Sequence, residues 1–161
     1  MKVSDQDIAA LNEHLMYKLN QMRIYHSLTV ALLNNEIDQY DTFLDERQHI
    51  IDEVNAVNLR IKRCLSVAED ASLKAIELAM RGQEAKVTDP RFNGALKLTK
   101  QIYELINDIA LLDKKLILKT EEKKNSMLEE LKGMSGQRKV VDTLYFNGQN
   151  TSIGKNYDIK R

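Results

Sequence analysis

The chain's first apolar row runs Ile8, Leu11, Leu15, Leu19, Met22, Tyr25, Leu28 and Leu32. Its steps are three and four, so these side chains share one face of a helix. Ser4 with Asp7 three positions on supplies a start signal, and the Asn34-Asn35 pair supplies a stop, which predicts a helix over 5–34. A second row, Ile37, Tyr40, Leu44, Ile51, Val54, Ile61, Leu65, Ala68, Ala75 and Ala79, meets no Gly or Pro before Gly82. It predicts one uninterrupted helix over 38–81, about 44 residues and roughly 65 Å at 1.5 Å per residue. "GQEAKVTDPRFNG", residues 82–94, is the mid-chain loop, and its Asp89-Pro90 pair suits the cap and first position of the next helix. Leu98, Ile102, Leu105, Ile109, Leu112, Leu116, Met127 and Leu131 then predict a third helix over 90–132, with Gly133 to close it.

All three rows repeat near 3.5 residues. The expected fold is therefore all-α, an elongated antiparallel three-helix bundle or coiled coil over 1–135, followed by a tail at 136–161. Helix 1 is the shortest. It should cover helix 2 up to Leu65 and helix 3 from Leu105 onward, leaving 66–104 as a protruding helix 2–helix 3 hairpin. The inner face of that hairpin carries Ala68, Ala71, Ala75 and Ala79. Small residues bury little area each, at roughly 25 cal/mol per Å², so Leu73, Ile76, Leu96 and Ile102 are expected to stay partly exposed. An exposed apolar strip calls for a partner. Three candidates follow: a second copy of the chain, its own tail, or a client helix. In the second-copy case the chain is a non-enzymatic structural or interaction protein that homodimerises through the hairpin, and Ala75→Glu breaks the dimer.

The tail breaks the helical pattern. Four of the six glycines lie at or after 133, and Gly, Asn, Ser and Thr surround Tyr145, Phe146 and Tyr157. A disordered segment is ordinarily poor in aromatic residues. Val140, Val141, Leu144 and Tyr145 fit one short amphipathic turn; after Asn147 no period remains. Two readings stand open: a tail that packs on its own bundle, and a flexible recognition peptide for another protein.

Composition narrows the function. Lys plus Arg and Asp plus Glu both number 24, so no overall field draws the chain to nucleic acid or to a membrane surface. The charge is nevertheless divided, because from Gly136 onward five cationic residues face two anionic ones. One cysteine rules out an internal disulfide framework and suits a reduced, cytoplasmic setting. "MKVSDQDIAAL" turns polar at once, which predicts no secretory leader, and no apolar run approaches the roughly 20 residues of a membrane span.

Candidate chemistry is sparse. Glu46-Arg47-Gln48-His49 is a single Glu-x-x-His, whereas di-iron bundles use a pair; a solvated helix face accounts for it. His14 and His26 lack the companions of a zinc set and read as surface or boundary residues. Lys62 and Arg63 precede Cys64 and would lower its pKa, yet Cys64 also lies near the helix 2 seam, where a small apolar residue is ordinary core material. Lys114, Lys115, Lys119, Lys123 and Lys124 interleave with Asp113, Glu121 and Glu122, the pattern of an ion-paired exposed face. No phosphate-cradling loop and no nucleophile motif occurs. The sequence therefore predicts no catalytic residue, metal or cofactor, and no enzyme.

"LLNNEIDQYDTFLDERQHIIDEVNAVN" resembles the helix 1–helix 2 junction of the flagellar type III export chaperones of the FlgN and FliT type, through Leu44, Glu46, Arg47, Gln48, Ile50 and Ile51. The end of the chain is similar to theirs through Gly136, Val140, Tyr145, Asp158, Lys160 and Arg161. The resemblance implies a cytoplasmic chaperone. Its client would be an amphipathic helix of a flagellar hook-associated (filament-junction) or cap subunit, which it would keep from premature assembly and deliver to the export gate. Under that resemblance the client helix lies in a groove between helices 2 and 3, in place of a fourth helix. Leu105, Ile109, Leu112 and Leu116 would line it. Val141, Leu144, Tyr145, Phe146, Tyr157 and Asp158 would contact client or gate, with Tyr145 and its successors as the exchange element.

Overall fold

The structure is a computed structural model that describes residues 2–133. All regular elements among them are helical: α1 (Asp5–Asn34), α2 (Tyr40–Leu65), α3 (Ala71–Met80) and α4 (Asn93–Gly133), with single 3-10 turns at Ile37–Gln39 and Pro90–Phe92. The chain divides at Leu116. Met1–Leu116 forms one unit, and residues 117–133 are the described part of the second. The 136–161 tail lies outside the described residues.

Helix α1 starts where Ser4 predicts. The Asp7 amide donates to Ser4 Oγ at 3.1 Å, and the Ser4 amide donates back to Asp7 Oδ2 at 3.3 Å. This reciprocal pair satisfies two amides that a helix start leaves open. Ile8, Leu11, Leu15, Leu19, Leu28 and Leu32 of the first row are buried. Helix α2 returns antiparallel to α1. Tyr17 Oη donates to Glu53 Oε2 at 2.8 Å, and Arg47 donates to the Tyr25 hydroxyl, so partners descend along α2 as they ascend along α1. Buried α2 residues are Tyr40, Ile50, Val57 and Ile61. Leu44 and Ile51, assigned to the inward row by spacing alone, are exposed.

The helix expected over 38–81 is two helices. It ends at Leu65, where Ser66 Oγ donates to the Lys62 carbonyl at 2.9 Å. A new helix begins after Asp70, whose Oδ1 accepts from the Ser72 and Leu73 amides at 2.7 and 3.3 Å. An Asp cap of this kind starts a helix without help from Gly or Pro. Asp70→Ala is expected to lower stability by about 1 kcal/mol, read from the urea midpoint, with amide protection lost first in α3.

The break removes the protruding hairpin. Helix α3 folds onto the core, and Leu73, Ala75, Ile76 and Ala79 are buried rather than presented to a partner. Leu73 and Ile76 join Leu11, Leu15, Val57, Ile61, Phe92, Ala95 and Ile102 in one apolar cluster, with Leu96 packed against it. Homodimerisation through a 66–104 hairpin therefore loses its contact face.

Helix α3 closes in a Schellman turn. The Gly82 amide donates to the Ala79 carbonyl at 3.0 Å and the Gln83 amide to the Leu78 carbonyl at 3.1 Å. Gly82 has φ +80°, and a Cβ there would run into the Tyr103 ring, so both backbone and space require glycine. Asp89 accepts from the Arg91 amide at 3.0 Å and so caps the 3-10 turn Pro90–Phe92 rather than the long helix expected from 90, which begins at Asn93. Hydrogen bonds from Arg91 hold the Asp89 carboxyl below the usual carboxylate range. Arg91 also donates to Asp5 Oδ1 at 2.6 Å, which ties the start of α4 to the start of α1. Helix α4 thus runs parallel to α1. The apolar spacing predicts contact between helix 1 and the last helix only from Leu105; in the structure it begins about ten residues earlier, around Ala95 and Thr99.

Candidate functional site

With Leu73, Ala75, Ile76 and Ala79 buried, most of the bare apolar side chains lie outside 66–104; within it Val67 and Leu78 remain exposed. In α4 the buried residues are Ala95, Thr99, Ile102 and Ile109. Beyond Ile109 the helix stays apolar in part yet open: Leu111 is 59% exposed, Ile117 58% and Leu118 58%.

Within the Met1–Leu116 unit, an apolar groove of about 250 Å³ opens between α1, α2 and α4. Met22 and Tyr25 come from α1, Ile50, Ile51 and Val54 from α2, and Ile109 and Asp113 from α4. Ile50 and Ile109 are buried and form its floor, whereas Ile51 is 36% exposed at its edge. The groove is smaller than a typical small-molecule site of roughly 300–1,000 Å³. It has room for side chains projecting from one face of a helix, not for the helix itself.

One end of the groove is braced by Arg47. Its Nη2 lies 3.1 Å from Asp113 Oδ1 on α4, it donates to the Tyr25 hydroxyl on α1, and its guanidinium carbon sits 4.4 Å from the centre of the Tyr25 ring. A planar cation with several donors can serve a carboxylate and an aromatic face together. Arg47 thereby links α1, α2 and α4 beside the groove residues Tyr25 and Asp113.

The chain matches no family model, no curated protein and no solved structure.

Of the groove residues expected from the sequence, Ile109 lies in this groove. Leu105 is half-buried against the main core, and Leu112 and Leu116 are half-buried on α4 without lining the groove. The groove is built by three helices rather than by helices 2 and 3 alone, because α1 runs alongside α4. Val141, Leu144, Tyr145, Phe146, Tyr157 and Asp158 lie outside the described residues. Arg47 was legible only as part of the family resemblance; its brace role shows once Tyr25 of one row and Arg47 of the facing helix are paired antiparallel.

The remaining candidates fall into place individually. Glu46 and His49 are exposed, and His49 Nε2 is 3.9 Å from Glu53 Oε1 one turn on. His14 and His26 are half-buried. Cys64 packs against the core, and burial pushes its thiol up rather than toward a reactive thiolate. Among the described residues no group of three or more His, Cys, Asp or Glu is placed to hold a metal ion, and no helix is long and apolar enough to cross a membrane.

Proposed function

We propose that this chain is a protein-binding helical bundle of the export-chaperone type. It holds an amphipathic helix of a flagellar hook-associated or cap subunit, keeps that subunit from assembling early, and brings it to the export apparatus. The observation that carries this reading is the open apolar groove between α1, α2 and α4, with buried Ile50 and Ile109 below and exposed Ile51 at its edge. An amphipathic helix laid across such a groove inserts side chains at i, i+3, i+4 and i+7. The stretch that resembles the export chaperones coincides with it: Ile50 and Ile51 line the groove and Arg47 braces it. Exposed Leu111 on α4 offers further apolar surface.

The test is fluorescence anisotropy with labelled synthetic helices from the ends of flagellar hook-associated and cap subunits. Ile51→Glu places a charge on the groove without disturbing a buried residue. It is expected to weaken helix binding roughly tenfold or more, the scale of an interface hot spot, and to leave the urea midpoint nearly unchanged. Absence of binding by the unmodified chain, or equal binding by the variant, would overturn the reading.

A further inference from the structure

The groove between α1, α2 and α4 is bordered on α2 by an exposed apolar row. Ile51 lines the groove and is 36% exposed, and Leu44, seven positions earlier, is 45% exposed. Seven residues make nearly two turns, so the two side chains share one face.

A row of carboxylates runs beside this one. Asp41, Asp45 and Asp52 are exposed and, with Gln48 between them, step four, three and four along α2. They stand about a quarter turn from Leu44 and Ile51, on the side away from buried Ile50. Among the described residues none of the three is ion-paired, and Asp52 Oδ1 accepts only from Gln48 Nε2 at 3.1 Å. Over 36–53 seven carboxylates accompany a single arginine. That arginine, Arg47, is engaged with Asp113 and Tyr25 instead. The other two rims differ: Arg23 on α1 and Lys114 on α4 are exposed, each one position from a lining residue. The acidic rim is therefore the α2 rim.

A helix seated on Leu44 and Ile51 brings one of its own flanks over these carboxylates. An acidic flank is repelled there and a basic one attracted. Lys and Arg also suit the place by shape, since their stems cover apolar surface while their charged ends reach outward. We propose that the groove selects amphipathic helices with Lys or Arg along one side of their apolar anchors, that side facing Asp41, Asp45 and Asp52. This selection rests on helix binding in the groove, as read above, and specifies the charge of the partner.

Fluorescence anisotropy with the full chain tests it on two labelled model helices, each roughly 18 residues long. Both carry leucine anchors at i, i+3, i+4 and i+7; one has lysine beside them, the other glutamate. The lysine helix is expected to bind roughly five- to tenfold tighter at about 0.1 M salt, the sum of several exposed ion pairs. The preference is expected to shrink toward unity at about 1 M salt, where charges are screened within about 3 Å. Asp45→Asn with Asp52→Asn is expected to cut the preference at least by half and to leave the urea midpoint nearly unchanged. Glu129→Gln with Glu130→Gln removes the same charge from exposed positions of α4 and is expected to leave the preference intact. Equal binding of the two helices, a preference retained without the Asp45 and Asp52 charges, or an equal loss in the α4 variant overturns the proposal and spares the groove reading. Binding of neither helix overturns both. A dimer in light scattering that the Asp45 and Asp52 variant separates assigns the row to a second copy. Stronger competition by a synthetic 136–161 peptide than by the lysine helix assigns it to the chain's own tail. Either result overturns the proposal as well.

Discussion

Ala75→Glu is expected to unfold much of the protein rather than to separate two copies of it. Ala75 is 6% exposed on the inner face of α3, with Leu73, Ile76 and Ala79 around it. A glutamate there has to be accommodated in a packed core and left without a counter-ion. Overpacking and unpaired burial both destabilise, and together they belong with the exceptional substitutions that cost roughly 4 kcal/mol or more. Single domains hold only about 5–15 kcal/mol in total. Urea unfolding followed by circular dichroism at two protein concentrations checks this. A large fall in midpoint at both concentrations is the expected result. An unchanged midpoint, accompanied by a smaller mass in light scattering, would restore the dimerising hairpin.

Phe92→Ala is the second large effect. Phe92 sits in the 3-10 turn Pro90–Phe92 that leads into α4, and it is fully buried in the main apolar cluster. The turn is anchored on one side by the Asp89 cap and on the other by Arg91 to Asp5. That rigidity limits collapse around a deleted ring, which keeps the cavity term high. The expected loss is about 3–5 kcal/mol, measured as the shift in urea midpoint. Phe92→Leu retains part of the volume and should lose distinctly less.

The helical class, the first helix and the Asp89-Pro90 start were legible because each rests on local chemistry: a three-and-four apolar spacing, a reciprocal Ser4–Asp7 cap, and a proline at a helix start. The break at 66–70 was also local, yet it was written in Ser66 and Asp70 rather than in Gly or Pro. Apolar spacing across it continues from Leu65 through Ala68 to Ala75, so the row conceals the cap. The Ser66 and Asp70 signals fold α3 back onto the core, which leaves exposed apolar surface on α4 and in the groove rather than on a free hairpin. In α2 the row holds at Tyr40 and Ile61 and differs between them, because Ile50-Ile51 offers two adjacent aliphatics and only packing against α1 and α4 decides that Ile50 points inward. Lys18 was beyond sequence reasoning altogether. Among the many polar residues of α1, a lysine at 18 reads as solvated until α3 folds back beside it.

The ion pair from Arg91 to Asp5 joins residues 86 positions apart, and this separation matters during synthesis. Tyr25 and Arg47, or Tyr17 and Glu53, meet across only 22 and 36 positions, so α1 and α2 are able to pair while the nascent chain is still short. The partners of Ile8, Leu11 and Leu15 on α4 emerge from the ribosome much later, several seconds on at roughly 5–20 residues per second. For that interval the part of the α1 apolar row that α4 later covers stays open, a consequence of the order in which the helices are made.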